Sequence, residues 1–325
     1  MTLVVLGIDA LDPDIVDPAA HPNLALASHR PIDTIVSSSG EPSTHELWPT
    51  IITGLRPAEH GLELDDGVAW ENSALSVLSD VADYAVPDGL QTRVGAWLLT
   101  NTGADAFRVP ATYYAENGIG TVFDGREATA IGVPNYVVDP GTEDREHQLR
   151  RHMGELFERD PDATGGHRSA DPVAFYEQCL EMAMVRIARV RRALRSREHE
   201  LVFGYTSGLD LVGHVSHSRP GLQAGAYDEL AAFVGELRGD LRADDDLLLI
   251  SDHGLQDGLH TETAMVAGTD PATVERIDSV LDVADAIDAA LSDGAHVPEP
   301  RWTGTRSDAG DSEAVREQLE DLGYM

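Results

Sequence analysis

Apolar residues along the 325-residue chain gather into short, nearly unbroken runs separated by longer stretches of helical period. Leu3–Ile8, Leu201–Tyr205 and Leu247–Ser251 are such runs, each ending just before polar residues. Continuous apolar strands are what a parallel sheet covered on both faces requires. Between them, Asp171-Pro172 supplies a helix cap and a first-turn proline ahead of Leu180, Ala183, Met184, Ile187, Val190 and Leu194, predicting a long helix over about 172–195. A second helix is expected from Gln223 to Leu241, and a third opens at Asp282 with Val283, Ile287 and Leu291. Strands alternating with helices predict an α/β fold with a mostly parallel, doubly wound sheet.

The middle of the chain is written differently. Residues 66–168 are rich in Gly, Pro, Asn and Tyr, with β-like pieces such as Gly132–Val137. Residues 1–65 and 200–295 are therefore expected to form the α/β core. Residues 66–199 read as an inserted cap that includes the long helix, with an acidic loop around Asp160–Asp162. From about 296 a C-terminal tail follows, with a short helical pattern at 313–322.

Charge changes the picture. The formal net charge is -34, and all 23 basic residues are arginine. Such a surface repels nucleic acid and anionic membranes. Molar salt shrinks the Debye length to about 3 Å and screens the self-repulsion, so the acidity reads as adaptation to the salty interior of a halophile. No apolar run is long enough to span a bilayer, Met1-Thr2 lead straight into the first strand, and a single cysteine, Cys179, permits no internal disulfide. A cytoplasmic location is expected. The expected partner is a small molecule, with no nucleic-acid or membrane surface; the sequence leaves the oligomeric state open.

Candidate chemistry sits where the strands end. Asp9 follows the first strand, Asp210 and His214 follow the run at 201–205, and Asp252-His253 follow the run at 247–251, with His260 close behind. Carboxyl ends of parallel strands open on one edge, where ligands bind. Mixed carboxylate and imidazole donors suit zinc or manganese better than calcium, and these residues nearly fill the ligand shells of two divalent metal ions. Two cations can clamp the attacking and leaving oxygens of a phosphoryl transfer, or hold a hydroxyl as a nucleophile. The stretch Glu41–Gly54 offers Ser43, Thr44 and Thr50, and residue chemistry alone leaves the three open.

The ordered set resembles the alkaline phosphatase superfamily, in particular its nucleotide pyrophosphatase/phosphodiesterase-like branch. The matching residues are Thr44, Trp48-Pro49-Thr50, Thr53-Gly54, Pro57, His60-Gly61, Asp210 with Gly213-His214, and Ser251-Asp252-His253-Gly254. The resemblance implies an alkaline-phosphatase-like α/β/α sandwich with an inserted cap. It implies Thr44 as nucleophile, one metal on Asp9, Thr44, Asp252 and His253, and a second on Asp210, His214 and His260. Hydrolysis of a phosphomonoester or phosphodiester through a phospho-threonine is then expected, with zinc the favoured metal and manganese the alternative.

The sequence departs from the branch where an Asn commonly binds a phosphoryl oxygen; Asp65, or Glu63 in another alignment, stands there. Asn135 or Arg126 is expected to take over that contact, making Asp65 and Asn135 the candidate substrate-binding residues. A sulfatase motif is missing from Thr44–Trp48, and the large insertion and basic residues of a phosphoglycerate mutase are also missing. A phosphotransferase or phosphomutase of the same superfamily, and a metal-bearing scaffold without turnover, stand as alternatives. His45 and Trp48 are expected to pack rather than touch substrate, His60 to be structural and Cys179 to be a core residue; His217 is left open.

Overall fold

The computed structural model describes residues 1–38, 40–63, 108–139, 149, 156–159, 167–216 and 219–292. Asp65, His217, the tail from 296 with its helical pattern, and the acidic loop at 160–162 lie outside them.

In chain order the elements are β1 (Leu3–Ile8), α1 (Pro22–Ala25), β2 (Ser28–Asp33), α2 (Thr44–Thr53), α3 (Pro57–His60), α4 (Thr112–Glu116) and β3 (Ala128–Ile131). They continue with β4 (Phe157–Arg159), β5 (His167–Ser169), α5 (Pro172–Ser196), β6 (Leu201–Thr206), α6 (Gly208–Ser216), α7 (Pro220–Gly239) and β7 (Asp246–Ile250). The last are β8 (Gly254–Gln256), β9 (Leu259–Thr261), β10 (Thr263–Gly268), α8 (Pro271–Glu275) and α9 (Val283–Ser292).

Six strands form the central sheet in the order β2-β10-β7-β1-β6-β3. β1 runs parallel to β6 and β7, and β3 parallel to β6. β10 is antiparallel to both its neighbours. Alternate residues of each strand feed two cores. Val4, Leu6, Val202 and Leu249 pack under α5, α6 and α7. Val5, Phe203, Leu248 and Ile250 pack under α2 and α9. All six residues of β1 are buried, which is why its sequence shows no polar alternation. The expected α/β/α sandwich around a mostly parallel sheet is present.

The helices begin where their caps predict. Asp171 Oδ1 accepts from Ala174 N at 3.1 Å, and Pro172 takes the first turn of α5. α7 starts three residues before the expected Gln223, again at a proline.

Two strand expectations shift. Thr34–Val36 has a strand pattern in the sequence, but the strand, an edge strand, lies earlier, at Ser28–Asp33, because pairing with β10 fixes its register from Ser28 opposite Gly268 to Asp33 opposite Thr263. Pro31 is tolerated there because an edge strand leaves one side unpaired. The β-like piece at Gly132–Val137 turns at Pro134-Asn135 and keeps only a single bridge, Val137 to Pro110; the strand precedes it as β3. Gly132 and Asn135 both have positive φ, 73° and 55°, which ends extended structure. A Cβ on Gly132 would sit 1.8 Å from the Arg186 guanidinium. The stretch 66–199 thus contributes a strand, β3, to the central sheet and its longest described helix, α5, to the first core.

Candidate metal centre

Parallel strands deliver the candidate residues to one edge. Asp9 directly follows β1, and Asp252 and His253 follow β7 after one residue. Asp210 and His214 stand one helical turn apart on α6, which opens just beyond β6, so both face the same way. His260 comes from β9 of the small hairpin β8–β9, folded back over the edge. Thr44 is the first residue of α2.

Two groups result. Asp9, Asp252 and His253 place their ligand atoms within 4.8 Å of one another, as do Asp210, His214 and His260. His253 Nε2 lies 3.3 Å from Asp9 Oδ1 and 3.5 Å from Asp252 Oδ2. Asp210 Oδ1 lies 3.2 Å from His214 Nε2 and 3.4 Å from His260 Nε2. The rings of His253 and His260 stack with centroids 4.0 Å apart and join the groups. Thr44 Oγ1 sits 3.3 Å from Asp9 Oδ1 and 3.3 Å from His253 Nε2. Thr50 Oγ1 instead donates to the Glu46 carbonyl.

All three imidazoles are oriented alike. Nδ1 of His214, His253 and His260 lies 3.1, 3.1 and 2.9 Å from the carbonyls of Gly258, Gly254 and Pro42. A carbonyl only accepts, so each Nδ1 carries the hydrogen and each neutral Nε2 presents a lone pair. Three lone pairs therefore aim at carboxylates, which also only accept. Both oxygens of Asp252 are buried without a hydrogen-bond partner; the neighbouring Asp9 could serve only by taking up a proton. Carboxylates and imidazole Nε2 atoms that outnumber the donors around them fit cations, and Nδ1 fixed by a carbonyl is the usual support of a ligating histidine.

Proton affinities show the same crowding. Burial, with the Asp210 charge, pushes Asp9 up to about 7. Burial and the Asp9 charge push Asp252 well above the carboxylate range. Burial drives His253 down to about 3, so it stays neutral. At Asp210 burial is outweighed by His214 and His260, which hold it well below its usual value. His260 shows the reciprocal effect: burial is overcome by Asp210, and the imidazole rises to about 9.

Two supports of the site carry no sequence signal. Tyr205, opposite Gly7 in the β1–β6 register, donates its hydroxyl to Asp9 Oδ2 at 2.5 Å. Asp12 accepts from Gln256 Nε2 at 3.2 Å, and its Oδ2 stands 2.4 Å from where a Gly254 Cβ would lie. Gly254 is thus the residue that lets the β8–β9 hairpin close over Asp12. Asp12 and Gly254 lie near opposite ends of the core sequence, so no local pattern marks their contact; only the tertiary structure reveals it.

The other expected residues fall in different places. Asn135 is fully buried and donates its amide to His45, at 2.9 Å to the carbonyl and 2.9 Å to Nδ1. Arg126 precedes β3 at the amino edge of the sheet, opposite the candidate ligands, and pairs with Asp288 at 2.8 Å. Trp48 is wholly buried, edge-on to Tyr205 with centroids 4.9 Å apart. His60 is buried beside Thr50 and Glu46 and accepts from Leu62 N through Nδ1. Cys179 is a core residue.

The family model for type I phosphodiesterase / nucleotide pyrophosphatase matches residues 3–290. No curated protein matches the chain. Among solved structures, alkaline phosphatase from the Antarctic bacterium TAB5 is similar at 11% identity and TM-score 0.43, covering 90% of this chain and 99% of that one. Phosphonoacetate hydrolase from Sinorhizobium meliloti is similar at 15% identity and TM-score 0.41, and murine ectonucleotide pyrophosphatase / phosphodiesterase 5 at 15% and 0.38. Each of those two matches covers 78% of this chain, but only 56% and 57% of the respective neighbour. Since the family model spans nearly all of the described core, with every candidate ligand inside it, the chain belongs to the type I phosphodiesterase / nucleotide pyrophosphatase family, and with it to the hydrolases of phosphoric ester bonds.

Proposed function

We propose that the protein hydrolyses a phosphomonoester or phosphodiester by way of a phospho-threonine on Thr44, at a centre for two divalent metal ions. One observation carries the reading: three Nε2 atoms, each with its Nδ1 held by a backbone carbonyl, and three carboxylates converge beside the Thr44 hydroxyl. Asp9, Thr44, Asp252 and His253 would hold one ion, and Asp210, His214 and His260 the other; zinc suits this donor set, with manganese the second choice. Such ions supply Lewis acidity for the phosphoryl oxygens and lower the proton affinity of a bound hydroxyl.

The protein's own groups do the rest. Thr44 heads α2, whose positive end faces the phosphoryl group and favours its charge. Asp9 Oδ1, 3.3 Å from Thr44 Oγ1, is placed to accept the hydroxyl hydrogen. Oγ1 bonds to phosphorus while the ester P–O bond breaks, and the leaving oxygen takes up a proton. Water then attacks phosphorus, the Oγ1–P bond breaks, and Oγ1 regains its hydrogen. Tyr205 holds Asp9 in place throughout.

The substrate is a small phosphoester. Thr44→Ala should abolish turnover of nitrophenyl mono- and diesters, assayed in molar salt with zinc or manganese, while leaving metal content largely intact, since three other ligands remain for that ion. Near-full activity on every ester would overturn the assignment. In oxygen-18 water the released phosphate or monoester should carry the label. Transfer to an organic acceptor without label would instead make the protein a phosphotransferase.

A further inference from the structure

Proline inside a helix removes one donor and crowds the carbonyl four residues earlier. Pro49 lies within α2, so the carbonyl it cannot serve is that of His45, the residue after Thr44. A donor arrives from elsewhere in the chain. Asn135 Nδ2 lies 2.9 Å from His45 O and 2.9 Å from His45 Nδ1, and its two hydrogens can serve one each.

The amide orientation is fixed by its partners. A carbonyl can only accept, so the atom facing His45 O is the NH₂, and Oδ1 is left to accept from Val109 N at 3.4 Å. His45 Nδ1 is then an acceptor, and its hydrogen sits on Nε2. The Asn135 backbone is held as well: Tyr114 donates to its carbonyl at 2.8 Å. Its φ of 55° is one that Asn tolerates better than other side-chain-bearing residues. Asn135 is completely buried, follows β3 by four residues, and so ties that strand to the first turn of α2.

We propose that Asn135 is a positioning residue for the reaction: by replacing the N–H that Pro49 lacks, it holds the first turn of α2 and the His45 ring, and through them sets where Thr44 stands. The inference rests on Thr44 as nucleophile for its effect on rate, but not for its effect on His45. A shift of about 1 Å at a reacting group costs on the order of 100-fold in rate.

The test uses full-length, metal-loaded protein. Asn135→Ala should lower kcat about 10- to 100-fold with KM little changed. Adding Pro49→Ala, which restores an N–H to the helix opposite His45 O, should recover most of that loss; Pro49→Ala alone should retain most of kcat. Should Asn135→Ala fold poorly, Asn135→Asp keeps the shape but removes both donors. It should lower kcat likewise and move the His45 ring-nitrogen NMR shifts from the Nε2–H towards the Nδ1–H form. Unchanged kcat in both variants, or a loss that Pro49→Ala does not relieve, overturns the proposal. The NMR shifts are also read in Thr44→Ala protein. A response there, together with an active Thr44→Ala, would reject the nucleophile and leave the placement of His45 by Asn135 standing.

Discussion

His214 Nε2 and His260 Nε2 face each other 3.1 Å apart, while the Nδ1 atom of each ring is held by a backbone carbonyl. Two neutral imidazoles in these orientations oppose lone pair to lone pair beside the Asp210 carboxylate. A proton or a metal ion resolves the repulsion, and binding of metal to the folded state alone adds stability. At a free metal concentration 1,000-fold above Kd the gain is about 4 kcal/mol. Chelation should therefore lower Tm by several degrees, zinc should restore it, and His260→Ala should lose one of the two proposed ions by elemental analysis. A Tm indifferent to chelator, with no metal recovered, would contradict the centre.

Tyr205 tests the support behind the ligands. Its hydroxyl is the hydrogen-bond donor to Asp9 Oδ2, and partners of this kind are worth about 10–100-fold in metal affinity or activity. Tyr205→Phe should show a loss of that size while near-ultraviolet circular dichroism stays native. Parent-like affinity and rate would mean that Asp9 is held by packing alone.

His60 offers a pH signature away from the ligands. Burial lowers it from 6.5 to about 4, so the unfolded chain takes up a proton first as pH falls. The stability tied to neutral His60 is complete above about pH 6.5 and is lost as pH drops towards about 4, by up to about 3 kcal/mol. Chemical denaturation of the metal-free protein across that window should show the slope, and His60→Gln should flatten it. Equal slopes in parent and variant would remove His60 from the acid response.

Net charge sets the solution conditions. With a formal charge of -34, self-repulsion acts over about 10 Å at 0.1 M salt and about 3 Å at 1 M. Raising potassium chloride from the first to the second should raise Tm, most steeply at the low end. A flat or falling curve would argue that the acidic surface is not tuned to salt.

Much of the centre was legible in the chain. Apolar runs that stop at Asp9 or one residue short of Asp252 mark strand ends, and parallel strands must end on a common edge. Asp210 and His214 follow another such run; that they share a helix face came only with α6. These are local periodicities, so the sequence by itself determined the sheet class and which candidate residues stand at its carboxyl edge. Once α2 is seen to run through Pro49, the His45 carbonyl needs a donor from elsewhere.

Which donor it would be could not be read, because Asn135 lies 90 residues away and reaches His45 through the pairing of β3 with β6. Tyr205 and Asp12 escaped for the same reason: neither has a local signature, and each meets its partner only once the register and the hairpin are fixed. Arg126 and Asn135 looked interchangeable as substrate contacts, yet one stands at the amino edge and the other is sealed under α2. Short-range patterns follow from the repeat of helix and strand. The long-range contacts that support and exclude residues at the site follow from how those elements are packed, and only the tertiary structure decided them.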